Sequence, residues 1–72
     1  MNLKQMEYFV AIVNEGNISA AAKSLHISQP PLSAQMKLLE DELGVVLFER
    51  GSRSIFLTEA GKVFYEKALH IL

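Results

Sequence analysis

Cysteine is absent from this 72-residue chain, which excludes a disulfide framework and any zinc site built on thiolates, and fits a reducing cell interior. No stretch approaches the roughly 18 uninterrupted apolar residues of a membrane span, and no basic, apolar and small-residue succession reads as a secretory signal. The cytoplasm is therefore the expected location, with no membrane partner. Internal repeats, low-complexity tracts and long linkers are also missing. The scarcity that bears most on function is that of positive charge. Seven Lys and Arg against eight Asp and Glu leave a formal net charge of −1, where a nucleic-acid binder is expected to be basic. Taken alone, this balance argues against DNA. Its distribution softens the objection: Glu40, Asp41 and Glu42 sit together, whereas Lys37, Arg50 and Arg53 fall in segments able to share another face.

What the chain does have is apolar material. Hydrophobic residues make up 50% of it, so a packed core is expected and disorder is not. At this length one small domain forms, burying only roughly 60% of its unfolded surface, and its stability is expected to be modest.

Leu3, Met6, Phe9, Val10 and Val13 recur at helical spacing behind Asn2, a good N-cap, and Gly16-Asn17 supplies a stop. A short second helix follows, capped by Ser19 and carrying Ala20, Ala21, Ala22 and Leu25, whose small side chains let another helix approach closely. After a turn at His26 and Ile27, Ser28 stands as the N-cap of a third helix, with Pro30 and Pro31 in its first turn, where missing amide donors cost little. Leu32, Met36, Leu39 and Leu43 lie on one stripe of that helix, and Gly44 closes it. At 100° per residue, Pro30, Ala34, Lys37 and Asp41 fall on the opposite ridge, with Ser33 on its flank and Gln29 at the entrance. The apolar run Val45 to Phe48, the polar stretch Glu49 to Ser54 with Gly51, and Ile55 to Leu57 predict a minimal hairpin. Thr58 caps a fourth helix with Glu59 at its positive end, and Ala60, Phe64, Ala68, Ile71 and Leu72 give it an apolar stripe that is still running at the last residue. The expectation from that stripe is a partner helix and a further domain downstream, with Phe64, Ala68, Ile71 and Leu72 at a dimer interface.

Two short helices joined by a tight turn, the second small and polar at its start, meet the requirements of a helix-turn-helix reader. Its first turn must reach base edges in the major groove, and bulky side chains there would hold the backbone away. Gln29 is suited to paired hydrogen bonds with adenine, the proline rings to thymine methyls, and Ser28, Ser33 and Lys37 to base edges or phosphates. Free amides at the helix start are expected to add phosphate contacts. Arg50, Arg53 and Ser54 around Gly51 read as a wing lying on the backbone or in a narrow minor groove.

Other chemistry is not supported. His26 and His70 lack acidic or cysteine companions at ligand spacing, so no metal is expected. Glu40, Asp41 and Glu42 point in different directions around a helix and read as a solvated face. No nucleophile, phosphate loop or cofactor motif accompanies them, so neither an enzyme nor a cofactor is expected.

The actual residues are similar to those of the amino-terminal domain of the LysR-type transcriptional regulators, over the whole chain. The resemblance is carried by Leu3 to Val13 with Tyr8 and Phe9, then Ala21-Ala22-Lys23-Ser24-Leu25-His26-Ile27-Ser28-Gln29-Pro30, Leu32-Ser33, Leu39-Glu40, Glu42-Leu43-Gly44, Leu47-Phe48-Glu49-Arg50 and Leu57-Thr58-Glu59-Ala60-Gly61. It implies a mainly α fold: a winged helix-turn-helix of three helices and a short β-hairpin over residues 1–58, with the motif at about 18–37 and the wing at about 46–57. Residues 59–72 then begin a long dimerising linker helix. It also implies promoter DNA as partner, a dimer or pair of dimers, and a small-molecule effector held by a carboxy-terminal domain beyond these residues. Gln29, Pro30, Pro31 and Ser33 match the family's base-reading and groove-lining positions, and Arg50 and Arg53 its wing contacts. Ala34 departs from the pattern, because many members carry arginine there. The rival reading is a winged-helix module that binds protein, or only itself, without DNA.

Overall fold

Asn2, extended at φ −143°, opens α1 (Leu3–Glu15) by accepting a hydrogen bond from the Gln5 amide, and Gly16, left-handed at φ 84°, ends it. This is a computed structural model, and it describes residues 1–50 and 54–72. The expected wing residues Gly51 and Arg53, and the side chain of Arg50, lie outside the described residues.

The face that α1 buries is rotated from the expected one. Met6 and Phe9 are buried as expected, but Leu3 is exposed and Ile12 is fully buried. Gln5, Phe9 and Ile12, at spacings of four and three, line the inner face and bring a polar residue into the core.

α2 (Ile18–Leu25) starts earlier than Ser19 would allow. Asn17, directly after the left-handed Gly16, is already extended, and its Oδ1 accepts from the Ala20 amide at 2.7 Å. Ser19 thus falls inside the helix. Ala21 and Ala22 are buried at 0% and 3% exposure in one core with α1 and α3. His26 ends α2 in the left-handed region at φ 60°, unusual for a residue with a Cβ.

α3 (Gln29–Leu43) buries Leu32, Met36 and Leu39 completely, half-buries Leu43, and stops at Gly44 with φ 72°. Two strands follow, β1 (Phe48–Arg50) and β2 (Ile55–Leu57), antiparallel with Phe48 opposite Leu57 and Arg50 opposite Ile55. The strand therefore begins at the end of the apolar run, not within it, and Val45 to Leu47 form the approach to the hairpin.

Thr58 caps α4 (Glu59–Ile71) as expected, its Oγ1 accepting from the Gly61 amide at 3.0 Å. Phe9 is the hub of the core: its ring stacks on Phe48 at 5.4 Å and meets Phe64 edge-on at 5.0 Å, so α1 holds β1 and α4 together. Tyr65 adds a hydrogen bond to Asn14 at 2.6 Å. Phe64, expected to wait for a partner helix, thus packs on Phe9 of its own chain, and Ala68, expected to do the same, is buried at 1% exposure. No helix of the described residues is long and apolar enough to cross a membrane.

Candidate nucleic-acid interface

α2 ends at Leu25 and α3 begins at Gln29, leaving His26, Ile27 and Ser28 as the turn between them. The left-handed His26 lets the Ile27 amide fold back on the Ala22 carbonyl at 3.0 Å, which closes α2 and turns the chain sharply. With Ala21, Ala22 and the stripe of α3 buried in one core with α1, the opposite side of α3 faces outward.

That side carries the residues expected there. Ser28, Gln29, Pro30, Pro31, Ala34 and Lys37 are all exposed, and Ser33 is half-buried on the flank. Behind the first turn sits the fully buried Leu32, so the backbone is anchored while its outer surface stays low. Pro30, Ser33 and Ala34 give a profile on which a base-pair edge could rest at short range. Ser54, at the far side of the hairpin, is also exposed.

Ser28 differs from expectation. Its backbone has the extended geometry of an N-cap, but its side chain makes no capping hydrogen bond. The reason lies in the sequence. An N-cap oxygen accepts from the second or third helical amide, and those positions are Pro30 and Pro31, which have none. For the same reason, this helix start offers a phosphate fewer amide donors than expected. The hydroxyl is left as an exposed polar group at the tip of the helix.

Lys37 pairs with Asp41 one turn along, Nζ to Oδ1 at 3.3 Å, with both side chains well exposed. Such a surface pair is worth no more than about 1 kcal/mol, so Lys37 can exchange it for a phosphate. Of the acidic trio, only Asp41 and Glu42 are exposed; Glu42 pairs with the amino terminus of Met1.

Glu40 is not the solvated residue expected from the sequence. It is half-buried and collects the chain leaving α3. Its backbone carbonyl accepts from the Gly44 and Val45 amides at 2.8 and 3.2 Å. Its Oε2 accepts from the Leu47 amide at 2.7 Å and the Phe48 amide at 3.4 Å. On the other flank of α3, Gln35 Oε1 accepts from Nε2 of the buried Gln5 at 3.0 Å. Sequence reasoning missed both ties. A signal existed for Gln5, which is in register with Phe9 and Ile12. None existed for Glu40.

The apolar surface of α4 is redistributed. Ile71 and Leu72 are exposed, as are Val63 and Leu69. Leu43, Val45, Leu47, Ala60, Val63 and Phe64 line an open groove between the base of the hairpin and α4.

The similarities to known proteins agree with this geometry. Residues 3–62 match the family described as bacterial regulatory helix-turn-helix protein, lysR family. Over all 72 residues the chain is 54% identical to the HTH-type transcriptional regulator ClcR of Pseudomonas putida, of which it spans 24%. Its fold is similar to the DNA-binding domain of CbnR crystallised with DNA, at a TM-score of 0.96 and 54% identity, covering 99% of this chain and 82% of that one. The DNA-binding domain of BenM bound to catB site 1 DNA is similar at a TM-score of 0.95 and 48% identity, covering 99% of this chain and 80% of that one. The match in residues, helix order and three-dimensional arrangement is continuous along the chain, which belongs to the LysR family of bacterial helix-turn-helix regulatory proteins.

Proposed function

We propose that this chain is the operator-reading domain of a transcription regulator, entering the major groove with the first turn of α3 and laying the hairpin on the flanking backbone or minor groove. The observation that carries the reading is the outward first turn of α3, where Gln29, Pro30 and Ala34 are exposed directly above the buried Leu32. Gln29 reads a base edge; Ser28, Ser33 and Lys37 reach bases or phosphates; Arg50, Arg53 and Ser54 serve the wing. The similar domains of CbnR and BenM were crystallised with DNA, which supports the same role here.

Residues 1–58 are the reading unit, and residues 59–72 begin the helix through which two copies pair. Ile71 and Leu72, together with Val63, present the apolar surface that such pairing would cover. Phe64 packs on Phe9 and Ala68 is buried within this chain, so in this reading the two support the pairing helix from beneath the surface that Ile71 and Leu72 present. The chain spans about a quarter of the length of ClcR; effector binding and pairing of dimers are, in this reading, properties of the full-length regulator and not of these residues. The protein acts in the cytoplasm and by binding, without catalysis or a cofactor.

A protein-interaction module is the second reading, favoured by the net charge of −1 and by the apolar groove beside α4. Fluorescence anisotropy against duplexes carrying an inverted repeat separates the two. DNA reading requires the logarithm of affinity to fall by about 0.9 per phosphate contact for each tenfold rise in salt. Arg53→Ala should weaken binding to every duplex, and Gln29→Ala should reduce discrimination by about 1–3 kcal/mol. Equal losses on specific and random duplexes for Gln29→Ala would remove its base-reading role, and salt-insensitive self-association without DNA binding would favour the second reading.

A further inference from the structure

The two DNA-facing parts of the molecule, the first turn of α3 and the hairpin, are separated by the segment Gly44–Leu47, which has no regular structure of its own. Thr58 holds that segment from the α4 side, its Oγ1 donating to the Val46 carbonyl at 2.6 Å and its amide to the Leu47 carbonyl at 3.1 Å; from the α3 side it is held by Glu40. Glu40 accepts from the amides of Gly44 and Val45 with its carbonyl, and from those of Leu47 and Phe48 with its carboxylate. The first pair is the ordinary closure of a helix by a left-handed glycine. The second is not: a side chain on α3 holds the amides of Leu47 and Phe48, and so ties the entry of the hairpin directly to the reading helix, whereas the stacking of Phe48 on Phe9 and the bond from the Ile55 amide to the Gly16 carbonyl tie the hairpin to α1 and its end.

We propose that Glu40 is a positioning residue for DNA recognition, fixing the reach and angle of the wing while touching no DNA itself. This rests on the reading that the wing contacts DNA. A mainly electrostatic role makes the opposite prediction. Removing a negative charge from a DNA-facing helix raises affinity for a polyanion, whereas loss of a wing anchor lowers it. The sign of the effect therefore separates the two.

The test measures the affinity of this chain for a duplex selected from a random pool, over a series of salt concentrations, for Glu40→Ala, Glu40→Gln, Arg50→Ala and the doubles. Circular dichroism establishes the folded fraction of each. Glu40→Ala is expected to weaken binding about tenfold and to flatten the salt dependence by about 0.9 for each phosphate that the wing no longer reaches. Discrimination between selected and random duplexes, read by α3, should hold within about twofold. Glu40→Gln keeps a carbonyl oxygen for the Leu47 amide, loses the charge and should recover most of the affinity; it also serves if the alanine variant does not fold. Arg50→Ala should cost about fivefold in the parent chain but less than about twofold beside Glu40→Ala, because an unanchored wing has little left to lose.

Additive losses with an unchanged salt slope would reduce Glu40 to a purely structural role and overturn the inference. Tighter binding by Glu40→Gln would do the same in favour of electrostatics. An Arg50→Ala variant that binds like the parent would instead overturn the wing reading beneath it, and the inference would fall with that reading.

Discussion

At its N-terminal end α3 exposes Gln29, Pro30, Pro31 and Ala34 and lacks a side-chain cap, whereas from Gln35 onward side-chain hydrogen bonds add to the buried stripe. Met36 and Leu39 are fully buried, Gln35 is tied to Gln5, and Glu40 gathers the amides of the following segment. One end is tied down by packing and hydrogen bonds together, whereas at the other the buried Leu32 anchors the backbone and the outer surface stays open. The division lets a domain of this size both fold and present an open helix tip: in the proposed reading, stability and recognition draw on different residues of the same helix. It also predicts that substitutions at the two ends will separate cleanly by assay.

The sharpest break should come at the anchored end. Leu39→Ala is expected to destabilise the domain by about 3 kcal/mol through reduced burial and the cavity left behind, seen as a large fall in the chemical denaturation midpoint. A loss below about 1 kcal/mol would show that the core collapses around the gap and that the anchored end is less rigid than the packing indicates. Gly61 offers a second test of the same side. A Cβ there would collide with the Leu47 carbonyl oxygen, which also accepts from the Thr58 amide at 3.1 Å. Gly61→Ala must therefore move α4 away from the hairpin base, at a cost of about 2 kcal/mol, again measured by denaturation.

Asn17 and Ser28, two residues of similar chemistry, both stand at helix starts. Asn17 makes its capping bond and Ser28 does not, so Asn17→Ala should cost about 1 kcal/mol and Ser28→Ala only a few tenths. Equal losses in thermal melts would mean that Ser28 has a partner in solution. For DNA affinity the order should reverse, with Ser28→Ala the more harmful. A similarly small effect on stability is expected from Ala34→Arg, which introduces on an exposed ridge the arginine that the family resemblance implies. It should leave folding within about 0.5 kcal/mol and raise the salt slope by about 0.9 through one added phosphate contact. An unchanged slope would place residue 34 out of reach of the backbone.

Much of this division is legible in the sequence, because the features that set it are local. The stripe Leu32, Met36 and Leu39, the stop at Gly44 and the cap at Thr58 depend on neighbours within a turn or two, and spacing reveals them. The start of α2 is not legible in the same way: Asn17 and Ser19 are both able to cap, and only the left-handed turn at Gly16 decides between them. The burial of Gln5 depends on Gln35, 30 residues away. Glu40 finds its amides seven and eight residues on, beyond a turn whose path the sequence does not specify. Nor does spacing show that Phe64 and Ala68 turn inward, since that follows from the meeting of Phe9 with α4.

The proline pair has one more consequence. Each ring holds φ near −65°, so Pro30 and Pro31 restrict the unfolded chain and bring the start of α3 close to helical geometry before any ligand arrives. A helix tip that must order on contact lowers affinity by the entropy of that ordering; here little remains to be ordered. Association should therefore resemble the meeting of two finished surfaces, with a small heat-capacity change beyond that of buried apolar area, and selectivity at this turn then rests on the Gln29 side chain, shape and methyl contact rather than on backbone donors.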